Sequence, residues 1–244
     1  MTRSLIGSFL GVLLSVGAAD AASFFGTDPG SGNDNTPLGT HTNADNAQTS
    51  FFNALSSKTT VNLEGSSGVT AVPFTLGAIN GNIQGGGTTG TTTILAGATD
   101  SAGGFPISGT VLWVMDTASF TITMNQPVTA IGFYGIDIGD ADGSLSLSLN
   151  GGAAIPVVSS ALTSGNVLYF GLTDLAGFST ITFNNASIGV QFDRFNFDDF
   201  TVGFAAQQDL AATPEPATLL LLGTSLAGMA GAAWKRRKAA RSAD

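Results

Sequence analysis

The chain has 244 residues, 43% of them apolar, no cysteine and a formal net charge of −9. That apolar share supplies a sizeable core and excludes disorder throughout, while the missing cysteines exclude disulfide support and a thiol nucleophile. Between Ala22 and Thr213, thirteen Asp and Glu64 face only Lys58 and Arg194, a net charge of −12; such a surface repels nucleic acid and anionic lipid headgroups and leaves soluble cations and neutral polysaccharide as partners.

In chain order, Arg3, the apolar stretch from Leu5 to Val16 and the small residues of Ala19-Asp20-Ala21 follow the order of a secretory signal peptide. This predicts a helical leader over residues 1–21, removed by signal peptidase after Ala21, with Ala18 as the alternative. Residues 22–43 are Gly, Asn, Asp, Thr and Pro with few apolar side chains after Phe25, which predicts a flexible lead-in. Ala44, Ala47, Phe51, Phe52 and Leu55 recur at helical spacing, so one short helix is expected over 44–55, capped by Thr42 or Asn43.

From there to residue 210 the pattern is that of strands. Thr59–Glu64 alternates, and Gly85–Gly90 marks a turn-rich loop. Ser119–Asn125 sets Phe120, Ile122 and Met124 against Thr121 and Thr123, and Ser144–Asn150 sets Leu145, Leu147 and Leu149 against serines; these are half-buried strands. Val128–Tyr134, Val167–Leu172, Ser179–Phe183 and Val190–Gly203 continue the series with Gly, Asn and Asp between them. The expected fold is all-β, a β-sandwich or jelly roll over residues 44–210 preceded by the short helix.

Residues 211–244 form a different kind of segment. Pro214-Glu215-Pro216 precedes an uncharged run from Ala217 to Trp234, and Lys235, Arg236, Arg237 and Lys238 follow, with Arg241 beyond. At about 1.5 Å per residue the run reaches ~27 Å, close to a hydrocarbon core of about 30 Å. The predicted transmembrane helix over 217–234 leaves the basic end 235–244 in the cytoplasm and the rest outside. The two prolines disfavour helix just before the membrane and keep that segment extended.

This order of triplet, span and basic run resembles the PEP-CTERM sorting signal of Gram-negative bacteria that make extracellular polysaccharide. The resemblance implies recognition by an exosortase, a membrane-embedded cysteine transpeptidase, which cuts near the triplet and releases or re-anchors the ectodomain. The membrane span is then transient.

Two acidic constellations stand out. Asp137, Asp140 and Asp142 fall within six residues on a Gly-containing connection, a pattern suited either to a solvated turn or to a hard cation such as calcium. Asp198 and Asp199 sit in Phe197-Asp198-Asp199-Phe200; period-2 alternation sends one of them to each face, and a buried carboxylate needs backbone amides, Arg194 or a metal. That segment resembles the closing strand of jelly-roll carbohydrate-binding modules and of ectodomains bearing the same sorting tail. In the modules, the resemblance implies, such an Asp joins an early-strand acid to hold structural calcium, here Asp198 with Glu64, beside the alternative of a hydrogen-bonded Asp pair. Trp113, Tyr134 and Tyr169 would stack on sugar rings if exposed, with core packing the stronger expectation.

An enzyme finds little support. His41 is the single histidine, and there is no Gly-x-Ser-x-Gly elbow, phosphate loop or His-Glu-x-x-His. The expectation is a non-catalytic, exported, exosortase-processed protein of the cell surface or exopolysaccharide matrix. The alternatives are a carbohydrate-binding module and, behind it, a polysaccharide-acting hydrolase using paired carboxylates.

Overall fold

The protein is described by a computed structural model. It divides into a unit of Met1–Ala206 and a unit of Gln207–Asp244. The structure describes residues 21–206 except 34–35, 67, 70, 86–89, 97–103, 118, 141–142, 159–161 and 188–194. The predicted leader helix, the Pro214-Glu215-Pro216 triplet, the span 217–234 and the basic end lie outside the described residues, as does Asp142. Among the described residues no helix is long and apolar enough to cross a membrane.

Among the described residues the fold is all-β with one helix. The strands are β1 (Ala22–Asp28), β2 (Leu55–Val61), β3 (Ala71–Leu76), β4 (Ile79–Gly85), β5 (Gly90–Ala96), β6 (Val111–Thr117), β7 (Ser119–Ile136), β8 (Gly143–Leu149), β9 (Ile155–Val158), β10 (Val167–Ser187) and β11 (Phe195–Ala205), with α1 at Thr42–Asn53. All eleven strands are joined by hydrogen bonds into one sheet whose pairings are antiparallel.

That sheet makes two layers because its longest ribbon folds back on itself. Phe120 and Phe133 are thirteen residues apart on β7, a distance of about 43 Å along a straight strand. Yet the ring of Phe183 on β10 lies 4.4 Å from Phe120 and 5.2 Å from Phe133, centroid to centroid. The bend falls where the β7–β10 register slips, from Thr173↔Ala130 through Phe178↔Val128 to Thr180↔Thr123. Both strands carry extra residues there, Asp174–Gly177 on one and Met124–Pro127 on the other, and such insertions sharpen strand curvature. One layer therefore holds β1, the early part of β10, the late part of β7, then β11 flanked by β2 and β6, with β5 paired to the outer side of β6. The other holds β3, β4, the early part of β7, the late part of β10, β8 and β9.

Phe120, Phe133, Phe183, Phe197 and Phe200 close the core between the layers, with neighbouring ring centroids 4.4–6.3 Å apart. A second, smaller core lies on the other face, where Phe51 of α1 packs with Tyr134, Tyr169 and Phe105. Gly132 and Gly171 oppose one another across β7 and β10 and form the seat for Phe51. A Cβ added at Gly132 would stand 2.7 Å from the Phe51 ring, and one at Gly171 2.6 Å, closer than carbon atoms pack.

Several boundaries differ from the sequence expectation. Residues 22–28, expected within a flexible lead-in, form β1 and pair over seven positions with β10. Main-chain pairing gives order here to a segment whose composition carries little apolar signal. The sandwich accordingly begins at Ala22 rather than 44. The helix ends at Asn53, and Leu55, expected on it, opens β2. Ser119–Asn125 and Val128–Tyr134, expected as two strands, are the two arms of β7; Val167–Leu172 and Ser179–Phe183 are likewise arms of β10.

Candidate functional site

The site is built where β11 departs from regular alternation. Asp198 pairs with Tyr134 and Thr201 with Gly132, so β11 spends one more residue than β7 over that stretch. Asp199 absorbs the difference at φ 49°, a left-handed conformation that Asp tolerates better than most residues. The bulge lets Phe197 and Phe200, three positions apart, both enter the main core. It also turns both acids toward one loop, where strict alternation separates them.

That loop, residues 104–110, is held by three carboxylates. Asp198 Oδ2 accepts the amides of Ile107 at 2.8 Å and Ser108 at 2.9 Å, and its Oδ1 accepts the amide of Asp199 at 2.7 Å. Asp199 Oδ1 accepts the Ser108 hydroxyl at 2.8 Å. Glu64 Oε1 accepts the amides of Thr110 at 2.8 Å and Val111 at 3.1 Å. Glu64, Asp198 and Asp199, widely separated in sequence, thus act on one segment. Gly109 sits at the turn with φ 60°, and a Cβ there would collide with the Glu64 carboxylate.

Burial, reinforced by the charge of Asp199, pushes Asp198 up to about 7, although the three amides oppose the shift. Asp199 is raised for the same first reason, with the Ser108 hydroxyl opposing and Glu64 adding repulsion. Among the described residues no positively charged side chain pairs with these acids. The amides are what make burying the acids tolerable.

Calcium takes six to eight oxygen ligands at about 2.3–2.6 Å. The groups facing these acids are N–H and O–H donors, whose positive ends a cation would meet, and both oxygens of Asp198 are already engaged. The residues present do not fit the calcium that the resemblance implies; they fit the hydrogen-bonded alternative. Among the described residues no three acidic or imidazole side chains form a metal-ligand group.

The second acidic constellation is also drawn into the fold. Asp137 is buried, has φ 62° and accepts the Gly165 amide on Oδ1 at 2.7 Å, while its own amide donates to the Asn166 carbonyl. Its carboxylate ties the connection after β7 to the turn before β10. Asp140 is half-exposed.

Beside the loop, α1 contributes groups that sequence reasoning passed over. Tyr134 donates to Asp45 Oδ1 at 2.7 Å, and His41 Nδ1 lies 2.8 Å from the same oxygen. Tyr134 and Tyr169 are buried, so neither presents a ring to solvent; burial first, then the bond to Asp45, raises the Tyr134 phenol above its ordinary range. The helix is capped from outside by Asp28 at the end of β1. Its Oδ1 accepts the Asn43 amide at 3.2 Å, and its Oδ2 accepts the Ala44 amide at 2.9 Å, which satisfies orphan donors and opposes the helix dipole. Thr42 and Asn43, expected as caps, are inside the helix, whose N-cap is His41. The one sequence signal for these contacts is an Asp ending an apolar-containing segment.

Residues 212–238 match the PEP-CTERM protein-sorting motif. The chain carries a PEP-CTERM sorting signal. Pro214-Glu215-Pro216 and Lys235-Arg236-Arg237-Lys238 both lie inside the match. The PEP-CTERM signal implies an exported protein that is processed by an exosortase and membrane-anchored through its C-terminal end beforehand. No curated protein matches the chain. Among solved structures, the K2 cleaved adhesin domain of Lys-gingipain is similar at 11% identity and a TM-score of 0.39, covering 61% of this chain and 100% of that one. An exo-beta-1,3-galactanase from Phanerochaete chrysosporium is similar at 20% identity and a TM-score of 0.32, covering 60% of this chain and 29% of that one.

Proposed function

We propose that this PEP-CTERM protein is a non-catalytic structural or adhesive component of the cell surface or exopolysaccharide matrix. Residues 1–21 direct secretion, residues 217–234 hold the chain in the inner membrane until an exosortase acts near Pro214-Glu215-Pro216, and the sandwich does its work outside. The observation that supports a passive role is the use made of the acids: Glu64, Asp198 and Asp199 hold the 104–110 loop through its amides and the Ser108 hydroxyl. A glycosidase needs two carboxyl groups flanking a substrate bond, one as acid and one as base or nucleophile.

The test incubates the exported protein with the exopolysaccharide of the producing strain. Co-sedimentation with the washed matrix and no new reducing ends are expected. Reducing ends that accumulate with time and disappear on Asp198→Asn would overturn the non-catalytic reading.

A further inference from the structure

Among the described residues β1, β2, β3, β5 and β9 each pair with a single neighbour and so form sheet edges. An open edge is a template for another chain, and proteins blunt it with lysine, proline or short strands. β2 carries Lys58, β3 carries Pro73, and β9, four residues long, carries Pro156. β1 and β5 carry neither residue type, and β1 also holds Phe25 with 49% of its surface exposed.

The backbone groups at the β1 edge follow from the ladder. The Asp137 amide donates to the Asn166 carbonyl, one step beyond the Val167↔Ile136 pair. Such bonds recur at every second residue, so the even-numbered residues of early β10 bond to β7 and the odd-numbered ones bond to β1. Ala22, Phe24, Gly26 and Asp28 stand opposite those odd-numbered residues. Ser23, Phe25 and Thr27 therefore turn their amides and carbonyls away from the sheet. Asn43 Nδ2 meets the Thr27 carbonyl at 3.2 Å, as an outward carbonyl allows, and the oxygen keeps a second lone pair. An open groove of about 560 Å³ borders residues 24–27.

The sequence of β1 suits a copy of itself. In an antiparallel pairing centred on Phe25, the Phe25 rings of the two chains are direct neighbours on one face, and Ser23 of each chain exchanges bonds with Thr27 of the other. Ala22 then falls opposite Asp28 of the copy. Removal of residues 1–21, on which this part of the argument rests, gives Ala22 a free ammonium group facing that carboxylate. Asp28 Oδ1 takes the two Asn43 donors and Oδ2 takes the Ala44 amide alone, so Oδ2 retains an acceptor site.

We propose that β1 is the interface for a second copy of this chain, joined edge to edge across a two-fold axis at Phe25 so that two sandwiches share one continuous sheet. The interface is isologous, so it closes at the dimer. A single strand pairing is small beside a standard interface, and its dissociation constant is expected to be on the order of 10 μM.

The experiment is sedimentation equilibrium of the exported protein, purified from the producing strain, up to about 200 μM and in about 0.5 M salt, which screens the like charges of the two copies. A monomer–dimer equilibrium is expected. Phe25→Ala is expected to raise the dissociation constant about tenfold. Phe25→Pro also removes the outward amide and is expected to be monomeric, with its melting temperature kept because that amide bonds nothing in β10. Leu175→Ala, at an exposed apolar side chain elsewhere, is expected to dimerise as the wild type does. The chain has no cysteine, so Phe25→Cys gives a second readout: residues paired across the axis lie about 5.5 Å apart at Cα, within disulfide reach. Mild oxidation is expected to link Phe25→Cys into dimers much faster than Leu175→Cys. A monomeric wild type, a dimer undiminished by Phe25→Pro, or equal cross-linking of the two cysteine variants would overturn the proposal. A monomeric wild type whose co-sedimentation with the matrix is lost in Phe25→Pro would overturn it in favour of a foreign strand at the same edge.

Discussion

Asp198 on β11 and Ser108 on the 104–110 loop meet at 2.9 Å, amide to carboxylate, across ninety positions of sequence. The contact is possible because the bulge at Asp199 turns both acids to the same face, and it makes the loop answer to the charge of a buried group.

The sign of the resulting pH dependence follows from the raised value. Asp198 titrates at about 7 in the folded protein and at about 4 in the unfolded chain. Between those limits the folded state keeps a proton that the unfolded state releases, so this group's stabilisation is full below pH 4 and is lost as the pH rises through 7. The melting temperature is expected to fall by about 5 °C between pH 5 and pH 8. Asp198→Asn, which cannot ionise, is expected to flatten the profile. Stability rising over this range, or an unaltered slope in the variant, contradicts the account.

Chelation supplies a separate check. With donors rather than a cation facing Glu64, Asp198 and Asp199, thermal melts in EDTA and in millimolar calcium are expected to coincide. A calcium-dependent rise in melting temperature that is abolished by Asp199→Asn would show that the acids hold a metal after all.

Gly109 tests the third carboxylate. Alanine there faces both a φ of 60° and the Glu64 carboxylate, and a loss of about 1–3 kcal/mol is expected. Chemical denaturation would measure it. A neutral result would mean that Glu64 does not hold the loop.

Phe51 should be among the costliest residues to truncate. Its ring fills the seat over Gly132 and Gly171 and touches Phe24 and Tyr169, so Phe51→Ala is expected to cost about 3–5 kcal/mol. Denaturation midpoints give the answer; a loss below 1 kcal/mol would place the helix outside the cooperative core.

Much of this architecture is legible in sequence where one face of a strand is wet. Phe120, Ile122 and Met124 alternate with threonines, and Leu145, Leu147 and Leu149 with serines, so the early arm of β7 and all of β8 are evident. The helix shows itself through Ala44, Ala47 and Phe51. The fold-back of β7 and β10 is not legible, because Gln126-Pro127 and Ala176-Gly177 read as ordinary interruptions between strands; only the meeting of Phe133 with Phe183 reveals a continuous ribbon. β1 escapes for want of apolar pattern. At the site, Asp198 and Asp199 are conspicuous as acids among aromatics, but their partners are backbone amides of Ile107 and Ser108, which no side-chain pattern announces. Asp28 and the His41–Asp45–Tyr134 contacts depend on chain segments brought together only by folding.

The central claim, an exported sandwich handled through its PEP-CTERM signal, is tested most directly by intact-mass measurement of the protein recovered from culture medium and membranes. The account predicts a product that begins near Ala22 and lacks the segment beyond Pro214-Glu215-Pro216, with the tail retained when all three residues are replaced by alanine. A full-length, untrimmed chain in the cytosol, or a wild-type product whose tail end has the same mass as that of the triple variant, would contradict it.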